Sequence, residues 1–383
     1  MTDKYDYIII GAGCAGLSLL MRIMDNDPGC TKKILLVDRS KKDTNDRTWC
    51  FWENGNGYFE SLVSRHWDQL IFRSKAFSKT LDTGAYQYKM IRSVDLYAYC
   101  FERINKASNI EVAYLEVEEI HFEKERYIIQ TSTKTMEVKA EFLFSAVYRD
   151  FPKTKSTISL LQHFKGWLIE TDIPCFDPEQ AIFMDFSVPQ QWGTVFMYVL
   201  PLCPDKALIE YTMFSASPLL PGKYDDAIRN YIATQLKISD FRIAATEYGI
   251  IPMTSHRFPF YKDGIYYIGT AGGQTKASTG YTFQFIQKQS AQIAGALNKG
   301  ITDLTGIQPS RSRFRLYDNT LLRVLSENKM TGEEIFSTLF KKIPAEKIFR
   351  FLDNETTLAE EFHILNAMPP GIFSIAAMKQ IFS

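Results

Sequence analysis

The start of this 383-residue chain contains the pattern that most restricts its fold. An apolar run over residues 7–10 leads directly into three glycines, Gly11, Gly13 and Gly16, and apolar residues then recur at helical spacing. A second apolar run ends on Asp38. Short runs that are apolar throughout are typical of strands buried on both faces of a parallel sheet. The order strand, glycine turn, helix, strand and acidic residue therefore predicts a dinucleotide-binding βαβ unit.

Each part of this unit has a physical role in binding a dinucleotide. Gly11 allows the tight turn, Gly13 lets the backbone approach the pyrophosphate, and Gly16 lets the helix pack closely on the strand. The N-terminus of the helix offers unpaired N–H groups and a positive dipole to the phosphates. Asp38 is positioned to accept hydrogen bonds from the adenosine ribose hydroxyls. The place of the unit at the start of the sequence, as in flavoprotein monooxygenases, favours FAD over NAD.

A second glycine turn strengthens the FAD prediction. The apolar run over residues 264–268 leads into a glycine-rich turn, and a helical stretch follows at residues 285–297. In flavoproteins of the p-hydroxybenzoate hydroxylase type, a strand-Gly-Asp turn at this place holds the ribityl and pyrophosphate part of FAD. This sequence has Thr270 where that Asp would be. We therefore expect the turn to be present but the contact between a carboxylate and FAD to be absent. The predicted cofactor-binding glycines of this region are Gly269, Gly272, Gly273 and Gly280.

The chain between the two nucleotide elements reads as short strands, which indicates an antiparallel sheet inserted into the nucleotide-binding domain. The predicted fold class is therefore α/β with an α+β insert. It combines a Rossmann-like βαβ domain for FAD with an inserted substrate domain, like p-hydroxybenzoate hydroxylase, and a helical C-terminal region. The predicted boundaries are 1–150 and 250–310 for the FAD-binding domain, 151–249 for the substrate-binding sheet, and 311–383 for the helical region.

Composition excludes several classes of protein. The formal net charge is zero, which gives no electrostatic reason to expect a nucleic-acid partner. Six scattered cysteines, Cys30 among them, form no C-x-x-C pair and no metal-like spacing with the histidines, so we expect reduced thiols and no metal. No run reaches the ~18–20 apolar residues of a membrane span. Residues 8–21 lack the basic lead-in and the cleavage site of a signal peptide.

Aromatic residues make up 14% of the chain, which leaves room for an aromatic-lined pocket beside an ordinary core. Several apolar and aromatic motifs fall outside a generic flavoprotein. They are Asp46–Trp52 (D-R-T-W-C-F-W), Phe164–Trp167 (F-K-G-W), Phe183–Asp185 (F-M-D), Tyr198–Pro201 (Y-V-L-P), Leu208–Glu210 (L-I-E) and Ser278–Tyr281 (S-T-G-Y). In this combination and order, over nearly the whole chain, the sequence resembles the lycopene β-cyclases of carotenoid-making bacteria.

The resemblance implies a specific reaction. A lycopene β-cyclase closes the ψ-ends of lycopene into β-ionone rings without net redox change. An acid protonates the terminal C=C bond, the neighbouring double bond attacks the carbocation, and loss of a proton gives the ring. Reduced FAD is required, with NAD(P)H as the reductant. Such chemistry needs a carboxylic acid kept protonated by burial, and aromatic or anionic surfaces that stabilise the cation without capturing it.

Glu210 is the predicted acid, because it interrupts an apolar strand and matches the Glu that has this role in the family's Leu-Ile-Glu motif. Two alternatives stay open: Glu210 could face solvent at the end of its strand, or the flavin rather than Glu210 could deliver the proton. Asp185 is the second catalytic candidate, with a structural carboxylate as the alternative. Tyr211 stands where many family members have Asp, so this chain departs from the family at the position of that second carboxylate. We expect a structural rather than a catalytic role for Glu247.

The remaining predicted site residues are aromatic or basic. The substrate-lining candidates are Trp49, Trp52, Phe183, Tyr198 and Tyr281, with plain core packing as the alternative. Arg47 is predicted to pair with either the flavin phosphate or Asp46. Arg92 is a candidate FAD contact, with a surface salt bridge as the alternative.

Two other functions share the predicted fold. Flavin monooxygenases and isoprenoid double-bond reductases would consume NAD(P)H stoichiometrically and change the oxidation state of their product. A non-catalytic carotenoid-binding flavoprotein would have no use for Glu210 in an apolar strand.

Because lycopene dissolves in bilayers, the resemblance also implies a cytoplasmic protein held peripherally at the inner face of the cell membrane. The helical C-terminal region, with the apolar residues 372–378, is the candidate contact, and packing on the protein body is the alternative.

Overall fold

A computed structural model describes residues 3–29, 31–151, 154, 156–307 and 312–381, so Cys30 lies outside the described residues. The strands, in chain order, are β1 Asp3–Lys4, β2 Tyr7–Ile10, β3 Ile34–Asp38, β4 Thr48–Asn54, β5 Arg65–Trp67, β6 Gln69–Arg73, β7 Ser78–Leu81, β8 Tyr86–Arg92, β9 Ile110–Tyr114, β10 Val117–Glu123, β11 Arg126–Thr131, β12 Thr135–Lys139, β13 Phe142–Ser145, β14 Ser159–Glu170, β15 Gln180–Asp185, β16 Thr194–Cys203, β17 Lys206–Ser215, β18 Arg242–Thr254, β19 Tyr261–Lys262 and β20 Ile265–Tyr267. The α-helices are α1 Cys14–Asn26, α2 Ser93–Asn105, α3 Pro221–Tyr231, α4 Phe283–Asn298, α5 Ser312–Ser326, α6 Gly332–Lys342, α7 Ala345–Leu352, α8 Leu358–Ala367 and α9 Pro370–Ile381.

The predicted βαβ unit forms the centre of a sheet with the order β19-β20-β13-β2-β3-β9. Strands β2, β3, β9, β13 and β20 are parallel, and helices α1, α2 and α4 cover one face of the sheet. A four-stranded sheet, β1-β12-β11-β10, covers the other face. Successive residues of β2 therefore enter two different cores, which explains why its sequence is apolar throughout and does not alternate.

A seven-stranded sheet with the order β18-β14-β17-β16-β15-β6-β7 forms the second unit. It is antiparallel except for the parallel pair β15–β6. Helix α3 packs on one face, and the other face packs against the C-terminal helices and the small sheet β4-β8-β5. This sheet extends beyond the predicted 151–249 segment, because β6 and β7 join it from the earlier part of the chain and β18 continues to Thr254.

The C-terminal region is helical, as its apolar periodicity predicts. Thr331 and Thr357 begin α6 and α8 with capping boxes, in which each threonine side chain accepts from a helix amide and a glutamate side chain accepts in return. The apolar faces of these helices, with Phe340 and Phe349 fully buried, pack on the seven-stranded sheet. Within the described part of the chain, no helix combines the length and the apolar composition that crossing a bilayer requires.

The apolar stretch near the C-terminus divides between two environments in α9. Ile372 and Phe373 are partly buried against the protein body and Ala376 is buried. Ile375 and Met378 are 54% and 51% exposed, so part of this stretch does pack on the protein and part of it faces outward.

Candidate active site

The first glycine turn has the geometry of a phosphate-binding turn. Gly11 has φ +102°, a conformation that L side chains rarely adopt. A Cβ atom on Gly16 would lie 1.9 Å from the carbonyl oxygen of Gly11, so helix and turn touch here through backbone alone. A Cβ on Gly13 would have no described atom within 4 Å. The open space at Gly13 therefore lies where the predicted pyrophosphate would approach.

The N-terminus of α1 is free to bind an anion. Among the described residues, no side chain caps this helix, and its first turn contains no acidic residue. Asp38 Oδ2 accepts from the backbone N–H of Ala12 at 2.7 Å, and its Oδ1 accepts from Ser40 N at 3.0 Å and lies 3.1 Å from Lys42 Nζ. Asp38 thus fixes the loops on both sides of the turn, beside the site of the predicted ribose.

The second glycine turn lies against the first. It follows β20, and Gly269 and Gly273 have φ +61° and +74°. A Cβ on Gly269 would lie 2.7 Å from Cβ of Ala15 in the first turn of α1. Gly272 lies against the backbone carbonyl of Tyr267. A Cβ atom on Gly272 would lie only 2.1 Å from that carbonyl oxygen. Both turns sit at the carboxyl ends of parallel strands, which is where α/β sheets bind ligands.

The chain then passes from the second turn to the substrate sheet through Gly280, which has φ +74°. A Cβ at Gly280 would lie 2.0 Å from Gln162 Oε1 of β14. Gln162 Oε1 and Thr279 Oγ1 are buried and have no hydrogen-bond partner among the described residues. Buried polar atoms are normally paired, so two unpaired ones at this junction indicate a ligand with complementary polar groups. These turns and orphaned atoms fit a flavin dinucleotide.

Two carboxyl side chains meet on the face of the seven-stranded sheet that the C-terminal helices cover. Glu210 of β17 is paired in register with Gly166 of β14, and Gly166 is paired with Glu247 of β18. Residues paired across neighbouring strands share one face of a sheet, so both carboxyls lie on the same side. Glu210 and Glu247 are half-buried, so part of the surface of each side chain stays open.

The environment of this pair favours the neutral acid at Glu210. Burial raises the pKa of Glu210 well above its usual range, and the negative charge of Glu247 raises it further. Burial also raises the pKa of Glu247, and the hydrogen bonds from Thr48 and Glu210 and the charge of Arg47 offset only part of this rise. Thr48 Oγ1 donates to Glu247 Oε2 at 2.7 Å, and Thr212 Oγ1 donates to Glu210 Oε1 at 2.5 Å.

Four of the five predicted substrate-lining aromatics come together beside Glu210. Tyr198 is paired with Glu210 across β16 and β17, and its hydroxyl lies 3.2 Å from that of Tyr281. Trp52 packs on Tyr281 with ring centroids 4.3 Å apart, and Phe183 lies edge-on to Trp52 and Tyr198. We call Trp52, Phe183, Tyr198, Tyr281 and the adjoining Tyr88 the aromatic cluster.

Trp49 lies apart from the aromatic cluster. Trp49 and Trp52 are three residues apart in β4, and an odd separation places them on opposite faces of the strand. Trp49 packs against Tyr97 and Phe283 in the core of the nucleotide-binding unit.

Asp185 faces away from the carboxyl pair. A bulge in β15, between Ile182 and Asp185, breaks the alternation of side chains and turns Asp185 toward α3. There it accepts hydrogen bonds from Ser187 N at 2.9 Å and from the Tyr231 hydroxyl at 2.7 Å. These contacts are those of the structural carboxylate that the sequence also allowed.

Comparison with known proteins shows the family of this chain. The sequence matches the family described as lycopene cyclase protein over residues 6–378. The chain belongs to this family. It is 23% identical over 387 residues to a lycopene beta-cyclase of Paracoccus sp., covering 96% of this chain and 94% of that protein. It is 22% identical to a lycopene beta-cyclase of Pantoea ananas, covering 100% and 99%.

The predicted fold class is confirmed by the solved structures. A flavin-dependent brominase superposes with a TM-score of 0.56 at 14% sequence identity, covering 98% of each chain. The lycopene cyclase family member described here therefore has the fold of flavin-dependent enzymes. Among its described residues, no group of three or more His, Cys, Asp or Glu side chains is arranged to hold a metal ion.

The two predicted arginines of this family member bond to protein groups. Arg47 donates to the backbone carbonyls of Asp46 and Tyr248, at 3.3 and 3.4 Å, so it links the nucleotide-binding unit to β18. Arg92 forms an ion pair with Asp95 at 2.7 Å, and its side chain is about half exposed, which is the surface salt bridge that the sequence allowed.

The structure adds three residues to the surroundings of the predicted acid. The sequence alone predicts a structural role for Glu247, gives no role to Tyr88 and presents Gly166 only as part of a motif, whereas the structure places Gly166 between Glu210 and Glu247, and Tyr88 beside Tyr281. The sequence feature that could have indicated a role for Glu247 is its position, as an acidic residue two places before the apolar run 249–253. Its partner could not be inferred, because the register of β14, β17 and β18 is set by tertiary pairing.

Proposed function

We propose that this protein is a lycopene β-cyclase, which closes the ψ-ends of lycopene into β-ionone rings in carotenoid biosynthesis. The reaction is an isomerisation with no net change in oxidation state, catalysed by an intramolecular lyase of the isomerase class. The observation that carries the proposal is the position of the Glu210 carboxyl, which lies beside a second carboxyl, faces the aromatic cluster and has a pKa raised by burial. The names of the curated relatives give the substrate.

Glu210 is the proposed acid. Its proton adds to the terminal C=C bond of the substrate and leaves a tertiary carbocation. The electrons of the neighbouring double bond attack this centre and close the six-membered ring. The ring then loses one proton. One proton is added and one is lost, so the product is an isomer of the substrate. Burial suits Glu210 to this step, because a raised pKa keeps its carboxyl protonated near neutral pH.

The aromatic cluster is proposed to bind the apolar end group and to stabilise the cation. Trp52, Tyr88, Phe183 and Tyr198 are almost fully buried, so their rings exclude water that would otherwise capture the carbocation. The faces of aromatic rings attract a positive charge, most strongly where solvent is excluded. Burial raises the pKa of Tyr88 and Tyr198 far above neutrality, so neither hydroxyl is ionised under working conditions.

FAD is the proposed cofactor, and NAD(P)H the proposed reductant that keeps it active. Gly11, Gly13 and Gly16 would hold the pyrophosphate at the N-terminus of α1, and Asp38 the ribose. Gly280 and its neighbours, with their unpaired polar atoms, would hold the flavin end. When bound in its reduced form, FAD would supply an electron-rich surface that stabilises a cation.

Peripheral membrane contact follows from the substrate. Leu358, Phe362 and Leu365 form a stripe along α8, with Leu358 and Phe362 67% and 68% exposed. Ile375, Met378 and Ile381 form a similar stripe on α9. Bulky apolar side chains exposed on surface helices insert into the interface of a bilayer, next to the hydrocarbon interior in which lycopene dissolves. We therefore propose that the cytoplasmic protein takes its substrate from the inner face of the cell membrane through α8 and α9.

Replacing Glu210 by Gln tests the function. The amide has the shape of the acid and no proton to give, so we expect cyclisation to fall by at least ~10²–10⁴-fold, the usual contribution of a general acid. FAD content and thermal stability should stay near those of the natural protein. Glu170→Gln, on β14 of the same sheet but in an exposed ion pair with Arg242, is the matched control and should remain active.

The assay is pigment identification in cells that accumulate lycopene, followed by turnover with purified protein. Substantial β-carotene formation by Glu210→Gln would refute the assignment of the acid. Absence of any cyclised product from the natural protein would refute the function itself.

A further inference from the structure

We propose that Glu247 is a positioning residue of this site, whose carboxylate is held against Glu210 over Gly166 so that the two share one proton and leave it on Glu210. The inference rests on the proposed function. It assigns to Glu247 and Gly166 roles that the motif alone does not give them.

Gly166 makes the contact between the carboxyls sterically feasible. Glu210 and Glu247 lie on strands that are separated by β14, and neighbouring strands are ~4.8 Å apart, so their backbones are ~10 Å apart. Two glutamate side chains can reach each other only if the residue between them is small. A Cβ at Gly166 would lie 3.0 Å from Cγ of Glu247 and 3.0 Å from Cδ1 of Leu208. Even a methyl group at this position would crowd the Glu247 side chain, and a larger side chain would occupy the space between the two carboxyls.

The surroundings of the two carboxyls are unequal. Glu247 accepts a hydrogen bond from Thr48 and lies near the positive charge of Arg47, both of which stabilise its ionised form. Glu210 accepts a matching hydrogen bond from Thr212, which stabilises its ionised form in the same way. Among the described residues, the other groups that act on Glu210 besides Glu247 are the neutral side chains of Cys50, Tyr198 and Tyr281. The positive charge of Arg47 beside Glu247 is therefore what makes the two carboxyls unequal. The first proton lost by the pair therefore comes from Glu247, and the remaining proton stays on Glu210.

This asymmetry has a consequence for the catalytic cycle. When Glu210 gives its proton to the substrate, it becomes an anion beside the Glu247 anion, and both carboxylates stabilise the new carbocation electrostatically. Two adjacent anions are unfavourable once the cation is gone. The proton that leaves the ring returns to the pair, and the hydrogen bond between the carboxyls restores it to Glu210. One proton leaves and one returns, with no other reactant.

The test is the pH profile of ring formation by the FAD-loaded, reduced full-length protein with lycopene in phospholipid vesicles. Activity should fall at high pH as Glu210 loses its proton. The charge of Glu247 raises the pKa of Glu210, so its removal lowers that pKa. In Glu247→Gln we therefore expect the alkaline limb to move to lower pH by about one unit or more. Glu247→Asp keeps the negative charge, so its alkaline limb should lie closer to that of the natural protein. Glu170→Gln should have the same alkaline limb as the natural protein.

An alkaline limb at the natural position in Glu247→Gln, whatever the rate, would overturn the proposal, because a merely structural role changes the rate and not the titration of Glu210. An infrared titration of the natural protein covers the case in which the variant does not fold. It should show the C=O stretch of a protonated carboxyl above neutral pH that is missing from Glu210→Gln, and an identical spectrum in the two proteins would also overturn it. Failure of the proposed function gives a different result, since the natural protein would then form no ring at any pH.

Discussion

Alanine substitutions at Gly13 and Gly16 of the first turn should affect different properties, because the space around the two glycines differs. Gly13→Ala should weaken FAD binding, and Gly16→Ala should lower the stability of the fold. Gly13 has φ −86°, which alanine adopts without strain, and its Cβ would meet no described atom within 4 Å. Gly13→Ala should therefore change the stability of the apoprotein by less than about 1 kcal/mol, the usual range for substitutions at a helix N-cap. The Cβ of Gly16→Ala would lie 1.9 Å from the carbonyl oxygen of Gly11, which is backbone and cannot move aside.

The magnitude for Gly16→Ala comes from two opposing terms. Alanine inside a helix is favoured over glycine by about 0.5–1 kcal/mol. Forcing an extra carbon into a packed contact costs about 1–3 kcal/mol or more, and contact with a rigid carbonyl belongs at the upper end of that range. The entropy of unfolding grows with chain length, so for a chain of 383 residues a net loss of about 2 kcal/mol corresponds to a fall in melting temperature of about 2–3 °C.

Gly13→Ala, which should leave stability nearly unchanged, should weaken FAD binding. The methyl group of Gly13→Ala occupies the space through which the backbone approaches the pyrophosphate. Loss of one charge-assisted hydrogen bond, about 1.5–3 kcal/mol, weakens binding by about 10- to 100-fold. Thermal unfolding of the apoproteins and titration with FAD by flavin fluorescence give the two quantities. The reasoning is refuted if Gly13→Ala binds FAD as tightly as the natural protein, or if Gly16→Ala melts at the natural temperature.

Two further predictions concern the reductant and the membrane. Purified protein should form many rings for each NAD(P)H oxidised, because the hydride does not enter the product, and one NAD(P)H consumed per ring would favour a reductase or monooxygenase. Phe362→Ser should reduce co-sedimentation with phospholipid vesicles by about tenfold, since an exposed Phe contributes ~1.5–3 kcal/mol when buried, whereas the equally exposed Leu220→Ser, at the start of α3, should have no effect. Equal losses in the two variants would contradict the assignment of α8 to the membrane contact.

Predictions that depended on neighbouring residues agreed with the structure. The apolar run over residues 7–10, the glycines after it and the acidic residue at the end of the next strand form a parallel βαβ unit. The helical periodicity after residue 310 likewise corresponds to α5–α9 among residues 312–381. These elements were predictable because backbone conformation at a glycine and the burial period of a strand or helix are local properties of the chain.

Predictions that depended on packing between distant segments could not be made in the same way. Asp185 and Glu210 both interrupt apolar strands, so the sequence offered both as acids. A bulge turns Asp185 toward α3, whereas regular alternation keeps Glu210 on the opposite face. A bulge has no reliable signature in composition, and it reverses the face of each residue that follows it.

The sequence by itself thus determined the dinucleotide unit, the fold class and the presence of an acidic residue in an apolar strand. Only the tertiary structure decided which groups surround that acid. The pairing of β17, β14 and β18 in one register brings Glu247 to Glu210 across Gly166, and β4 brings Thr48 to Glu247. Each of these contacts joins residues far apart in the chain. Their chemistry follows from strand register and from how two units pack, which local sequence patterns do not specify.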